Sequence, residues 1–336
     1  RPPRSTHCIS SAASDVYKRQ SNFNISIAGE IITFKGIFDL LLEISKNTHF
    51  TLILDEFQEF YNINSSVYSE MQHLWDIKKS ECKINIILIG SIYSLMNKIF
   101  QDSKEPLFGR AERIIYLKPF KVNTMKNILS DYNIYNNRIL FDYYIFTGGI
   151  PKYIDLLVTN KVFRHKKIVD FILSENSPFI NEGKNLLIEE FGKEYSTYFS
   201  ILELISLGKT RRSEIESILE KTIGGYLNRL EKDYRVISKY KPVLAKPNTR
   251  LQKYRIIDKF LKFWFHFVYR NHSAIESSNY NYVKKIFNRD YLTYSGKLLE
   301  DFFLDLFAET GKYNIIGPYW ERGNQNEIDL VAINEM

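Results

Sequence analysis

Cysteine is almost absent from this sequence. Its 336 residues hold two, Cys8 and Cys82, far apart in the chain, which excludes a disulfide scaffold and fits a reducing cytoplasm. Six histidines are present, and none stands at a metal-ligand spacing from a cysteine or another histidine, so no zinc site is expected. No apolar run is long enough to span a membrane, and the first twenty residues lack the apolar stretch of a signal peptide. Strong charge of one sign is missing as well. The formal charge is +7, but residues 1–20 carry four basic residues and one acid, and without them it falls to +4. The basic balance therefore says little about nucleic acid. What the chain does have is an ordinary soluble composition, 44% hydrophobic and 25% charged, with room for two or three domains.

The stretch Phe50-Thr51-Leu52-Ile53-Leu54-Asp55-Glu56-Phe57 organises the rest. An apolar run with Phe, Thr and Ile suits a strand buried on both faces of a parallel sheet, and two adjacent acids belong at the carboxyl edge of such a sheet, where open α/β folds bind ligands. The pattern reads as a Walker B strand. Asp55 is then the candidate to hold Mg²⁺ and Glu56 the candidate to orient a water against a γ-phosphate. The plainer alternative is a buried strand running into a solvated turn. Met71, Leu74, Trp75 and Lys78 mark a helix, and Ile84 to Ile89 a second buried strand ending in Gly90-Ser91. Ser91 at that tip is the candidate to hydrogen-bond phosphate or water. Arg110, in Glu105-Pro106-Leu107-Phe108-Gly109-Arg110, could reach phosphate with its planar fork of donors, and Ile114 to Leu117 reads as a third strand.

With these pieces the chain resembles the archaeal-type AAA-related ATPases of the wider STAND class. The matching residues are the LILDEF, LIGS and PLFGR stretches, Phe146-Thr147-Gly148-Gly149-Ile150-Pro151-Lys152-Tyr153, and the C-terminal region. The resemblance covers about residues 30–334. It implies a parallel-sheet α/β NTPase core, a helical lid, a winged helix and the start of a PD-(D/E)XK nuclease-like domain. It also implies ATP and Mg²⁺ as cofactors and Pro151 against the adenine. Read from the residues alone, Gly148 to Pro151 is a helix–helix turn with proline at a first helical position. Double-stranded DNA and a second copy of the chain are further candidate partners.

Ser10 to Gln20 reads like the translation of a transposase adapter used in library sequencing, so residues 1–20 are set apart from the fold. Residues 21–120 are then the ATPase core, lacking its phosphate loop. The only G-K-[ST] is Gly208-Lys209-Thr210, with Glu203 where the first glycine should stand and a helix before it, so Gly208 reads as a helix C-cap. Ile31 to Phe34 suggests a strand, and Ile37, Leu40, Leu41 and Ile44 an amphipathic helix.

Asn123–Tyr132 and Asn136–Phe146 open a lid over residues 121–192, with His165 a solvated residue. Within residues 193–272, three helices and two strands read as a winged helix, with Arg211, Arg212, Tyr226 and Arg229 as candidate DNA contacts and Glu214, Glu216, Glu220 and Glu231 diluting the basic face. A packing module is the alternative. Phe260 to Tyr269 is an aromatic helix best read as core. In residues 273–336 a helix from Ser295 and a strand after Trp320 carry Glu300 and Asp329, which nuclease-like chemistry would join on a metal. Glu300 on an exposed helix face and Asp329 in a turn are the plainer alternatives.

Overall fold

Thr33 opens the first described helix by accepting the Gly36 N–H on its hydroxyl, so Phe34 begins a helix and not the end of a strand. The computed structural model describes residues 33–246, 249, 251–322 and 326–334, and the rest of the expected strand at Ile31 lies outside them. The chain divides into two units between Ile115 and Tyr116. No described helix is long and apolar enough to cross a membrane.

In the first unit, α1 (Phe34–Asn47) leads into β1 (Phe50–Leu54), α2 (Ser66–Lys78), β2 (Ile84–Leu88) and α3 (Tyr93–Gln101). β1 and β2 pair in parallel, Phe50 opposite Ile84 and Leu54 opposite Leu88. This is a mixed α/β fold with a small parallel sheet. Its core gathers Phe38, Leu42, Phe57, Tyr68, Met71, Leu74, Ile99 and Leu107 against the Leu52, Leu54, Ile84, Ile86 and Leu88 face of the sheet.

Two expectations are corrected here. The strands are not buried on both faces, since Thr51, Ile53, Asn85 and Ile87 are exposed and nothing among the described residues of this unit covers them. α1 buries Phe38, Leu42 and Ser45, leaving the Ile37, Leu40, Leu41 and Ile44 stripe half-buried, because apolar residues surround most of this helix and packing selects one face. Ile114 to Leu117 forms no strand either. A strand needs a neighbouring edge for its backbone groups, and among the described residues it has none.

The second unit begins with α4 (Val122–Asp131) and α5 (Asn137–Thr147). Gly148 ends α5 in the left-handed conformation, and Pro151 starts α6 (Pro151–Thr159) at its first position. Gly149 has φ +79°, and a Cβ there would collide with the carbonyl of Phe120, whose N–H donates to the Gly149 carbonyl at 2.7 Å. α7 (His165–Ile172) and α8 (Pro178–Phe191) follow.

Next come α9 (Tyr195–Ser206), α10 (Arg212–Leu219) and α11 (Gly224–Lys232), then the antiparallel pair β3 (Ile237–Tyr240) and β4 (Lys253–Ile256). Thr222 stands before α11 and outside it. Gly208, φ +92°, closes α9 as expected, with the Lys209 N–H donating back to the Leu204 carbonyl. The aromatic helix α12 (Lys259–Phe263) continues as one π turn through Trp264–Val268, and Phe260, Phe263, Phe265 and Phe267 are buried in the unit's core, as their composition predicts.

A short helix, α13 (His272–Glu276), precedes α14 (Tyr280–Glu309), which starts one half-turn after Ser278 and not at Ser295; the Asn279 side chain caps it by accepting from Tyr282 N. β5 (Ile315–Trp320) and β6 (Glu327–Ile333) form an antiparallel pair that packs on α14.

Candidate active site

Beyond Leu54 the backbone turns sharply. Asp55 and Glu56 are exposed, Glu56 takes a left-handed conformation with φ +50°, and Phe57 and Gln58 dive into the core. Two bonds lock the strand tips together, Ile89 N–H to the Leu54 carbonyl and Phe57 N–H to the Ile89 carbonyl, both at 2.8 Å. The Tyr68 hydroxyl holds the turn from below by donating to the carbonyl of Phe57 at 3.2 Å. A left-handed non-glycine residue at a strand tip is strained and persists only where its surroundings fix it.

Glu56 and Ser91 are brought together, as the sequence predicts. The Ser91 hydroxyl donates to Glu56 Oε2 at 2.7 Å, and Gln58 Nε2 donates to the same oxygen at 2.6 Å. These donors, Gln58 first and then Ser91, hold the Glu56 carboxyl below the usual range against the opposing effect of its burial. Asp55 Oδ1 accepts the Glu56 N–H at 3.0 Å and otherwise faces outward. Gln58 was not among the candidates read from the sequence. Its only signal there is an amide placed one residue after a core phenylalanine, at a position an apolar side chain would fill.

Arg110 is engaged elsewhere. Its Nη2 donates to Asp76 Oδ2 at 2.7 Å, and Nη1 to the carbonyls of Pro106 and Phe108 at 2.8 and 3.0 Å. α2 returns antiparallel to the strands it joins, so Asp76 near its end lies toward their amino edge, opposite to Glu56. Pro151 belongs to the second unit, where it is exposed in the first turn of α6.

The candidate DNA contacts are also occupied. Arg212 Nε donates to Glu216 at 2.8 Å, Arg229 Nη1 to Glu194 at 3.1 Å, and the Arg211 backbone N–H donates to Glu214 Oε2 at 3.2 Å where α10 begins. Tyr226 is half-buried beside Lys221. His165 is not the solvated residue expected. Its Nδ1 lies 2.8 Å from Oδ1 of the buried Asp142, which also accepts from the Tyr291 hydroxyl at 3.1 Å.

Glu300 and Asp329 lie near one another: partial burial first, then Asp329, Asp301 and Glu327, hold the Glu300 carboxyl above the usual range. Glu300 keeps part of its side chain exposed on the helix face of the plainer reading, while Asp329 lies in β6 and not in a turn. Among the described residues no group of three or more His, Cys, Asp or Glu is arranged to hold a metal by itself.

With this geometry in view, the chain can be set beside known proteins. A Walker-type ATPase of Pyrococcus abyssi aligns in structure over 76% of this chain and 77% of that one, with a TM-score of 0.54 and 20% identity. The two share a fold. An uncharacterized protein of Methanocaldococcus jannaschii is 30% identical over 297 residues, 84% of this chain, and the chain spans 64% of that protein's length. Residues 264–336 match the DUF234 family model, described as archaeal and bacterial proteins of unknown function.

Proposed function

We propose that this chain is part of an ATP-binding and ATP-hydrolysing switch of the AAA-related STAND class, with its nucleotide site at the carboxyl tips of β1 and β2. The observation that carries the reading is the Glu56 carboxylate, ionised and oriented beside Ser91 and one residue from the outward-facing Asp55. The donor set suits Mg²⁺. That ion keeps several waters and takes one or two carboxylates plus phosphate oxygens, in place of an all-protein cage, and Asp55 offers such a carboxylate. Bound Mg-ATP supplies the electrophilic phosphorus and the charge compensation. Asp55 would hold the metal through its water shell, Glu56 would orient the attacking water by accepting its hydrogen bond, and Ser91 fixes Glu56. The nucleotide state would be passed to the helical and winged-helix-like modules of the second unit.

The test is Glu56→Gln in the full-length protein, which keeps the shape and removes the base. ATP binding by calorimetry should persist while turnover falls about 100-fold or more. Hydrolysis at the wild-type rate would remove Glu56 from the mechanism and with it this reading.

A second reading, a nuclease-like effector with a regulatory ATPase part, draws on the proximity of Glu300 and Asp329. It needs a third metal ligand or a lysine beside them. The engagement of Arg212 and Arg229 with carboxylates of their own module favours packing over duplex binding for α10 and α11.

A further inference from the structure

We propose that Gln58 is a positioning residue that fixes the orientation of the Glu56 carboxylate, and that residue 90 is glycine because the Gln58 amide and the Met96 side chain together occupy the space a side chain would need. The inference rests on the reading of Glu56 as the water-orienting carboxylate. Gln58 is 1% exposed, buried under the β1 tip. Its Nε2 donates to Glu56 Oε2 at 2.6 Å and to Ser91 Oγ at 3.3 Å, while Ser91 Oγ donates to that same Glu56 oxygen. A carboxylate only accepts, so the amide must face it nitrogen first. The three groups close a triangle, and two donors on one oxygen set the carboxylate's plane.

This arrangement is costly for a core residue. With Nε2 committed to Glu56, Gln58 Oε1 is buried without a hydrogen-bond partner among the described residues. Leucine or methionine would fill the place with no polar group to desolvate. The amide's gain is its hold on Glu56, whose left-handed backbone needs fixing from several sides. Gly90 completes the argument. Its φ is not in the left-handed region, so conformational freedom does not explain it; a Cβ there would collide with Gln58 Oε1 and with Met96 Sδ.

The experiment is side-chain NMR of the full chain at neutral pH. In the wild type the Gln58 side-chain amide should give two distinct N–H signals protected from exchange, and Glu56→Gln, which removes the accepting carboxylate, should move both. Amide signals that Glu56→Gln leaves in place overturn the proposal.

A kinetic arm separates positioning from packing. With KM for ATP unchanged, kcat of Gln58→Leu should fall about 100-fold, the scale of a misplaced catalytic group. An unchanged kcat in a folded Gln58→Leu would also refute positioning. A wild-type protein that hydrolyses no ATP would sink the proposed function instead, while the amide signals still decide whether Gln58 holds Glu56.

Discussion

Replacing Asp258 with asparagine should stabilise the protein at neutral pH and abolish part of its pH dependence. Asp258 caps α12, its Oδ1 accepting the Leu261 N–H at 3.1 Å. Burial pushes its carboxyl up to about 6, in spite of the opposing pull of the Leu261 and Phe260 N–H groups and the Lys259 charge. A carboxyl whose folded pKa lies above its unfolded value binds its proton more tightly in the folded state. Its contribution therefore strengthens folding as pH falls through about 6 toward 4, and the cost of the buried charge is fully present above about 6.

From an unfolded value near 3.9, at 1.36 kcal/mol per unit, that cost is about 3 kcal/mol at neutral pH, of which about 2 kcal/mol is recovered between about pH 7.5 and pH 4.5. Asparagine caps as well as aspartate and cannot ionise. In urea unfolding, the stability difference between Asp258→Asn and wild type should shrink by about 2 kcal/mol between those two pH values, with contributions from all other groups cancelling. The same difference at both would show that Asp258 is not desolvated in the way its surroundings imply.

Glu309 caps a helix from the far end of the chain, accepting the Val122 N–H at 2.6 Å and the Asn123 N–H at 3.0 Å. Glu309→Ala should cost about 1–2 kcal/mol and speed hydrogen exchange at Val122 and Asn123, with a smaller loss in Glu309→Gln; unaltered exchange at those two amides would disprove the cap. His165→Ala should cost about 3 kcal/mol in urea unfolding, because it strips a partner from the buried Asp142, and a loss below about 0.5 kcal/mol would return His165 to the status of a surface residue.

The elements with strong periodic signals were legible. β1, β2, α2, the paired helices α4 and α5, and the glycine–proline turn stand where apolar spacing, caps and Gly148, Gly149 and Pro151 put them. Asp55, Glu56 and Ser91 were legible as a group because two acids and a small polar residue end neighbouring apolar runs. What failed was information that only packing supplies. The Ile37 stripe was ambiguous in a helix apolar on most sides, and Ile114 to Leu117 has the composition of a strand but no ladder among the described residues. Arg110 and His165 were assigned roles by residue type, whereas their partners Asp76 and Asp142 lie 34 and 23 residues away and leave no local trace. Gln58 was missed because a core amide is unremarkable until its neighbour is a carboxylate.

The long helix α14 shows how such non-local pairing ties the second unit together. Asp301, Asp305 and Glu309 repeat every four residues and so share one face, a spacing that by itself reads as a solvated acidic edge. Each is instead bound to groups of other elements, α12 being shared by the first two. Asp301 takes Lys262 of α12 at 3.3 Å and Arg255 of β4 at 3.7 Å, and Asp305 takes Tyr144 of α5 at 2.7 Å and Lys259 of α12 at 2.9 Å. Glu309 takes the first N–H groups of α4. Individually, half-exposed pairs of this kind add little stability. Three along one rigid helix do something a single pair cannot: they fix α4, α5, α12 and the β3–β4 pair against a common axis, so a rotation of α14 would strain all three contacts at once.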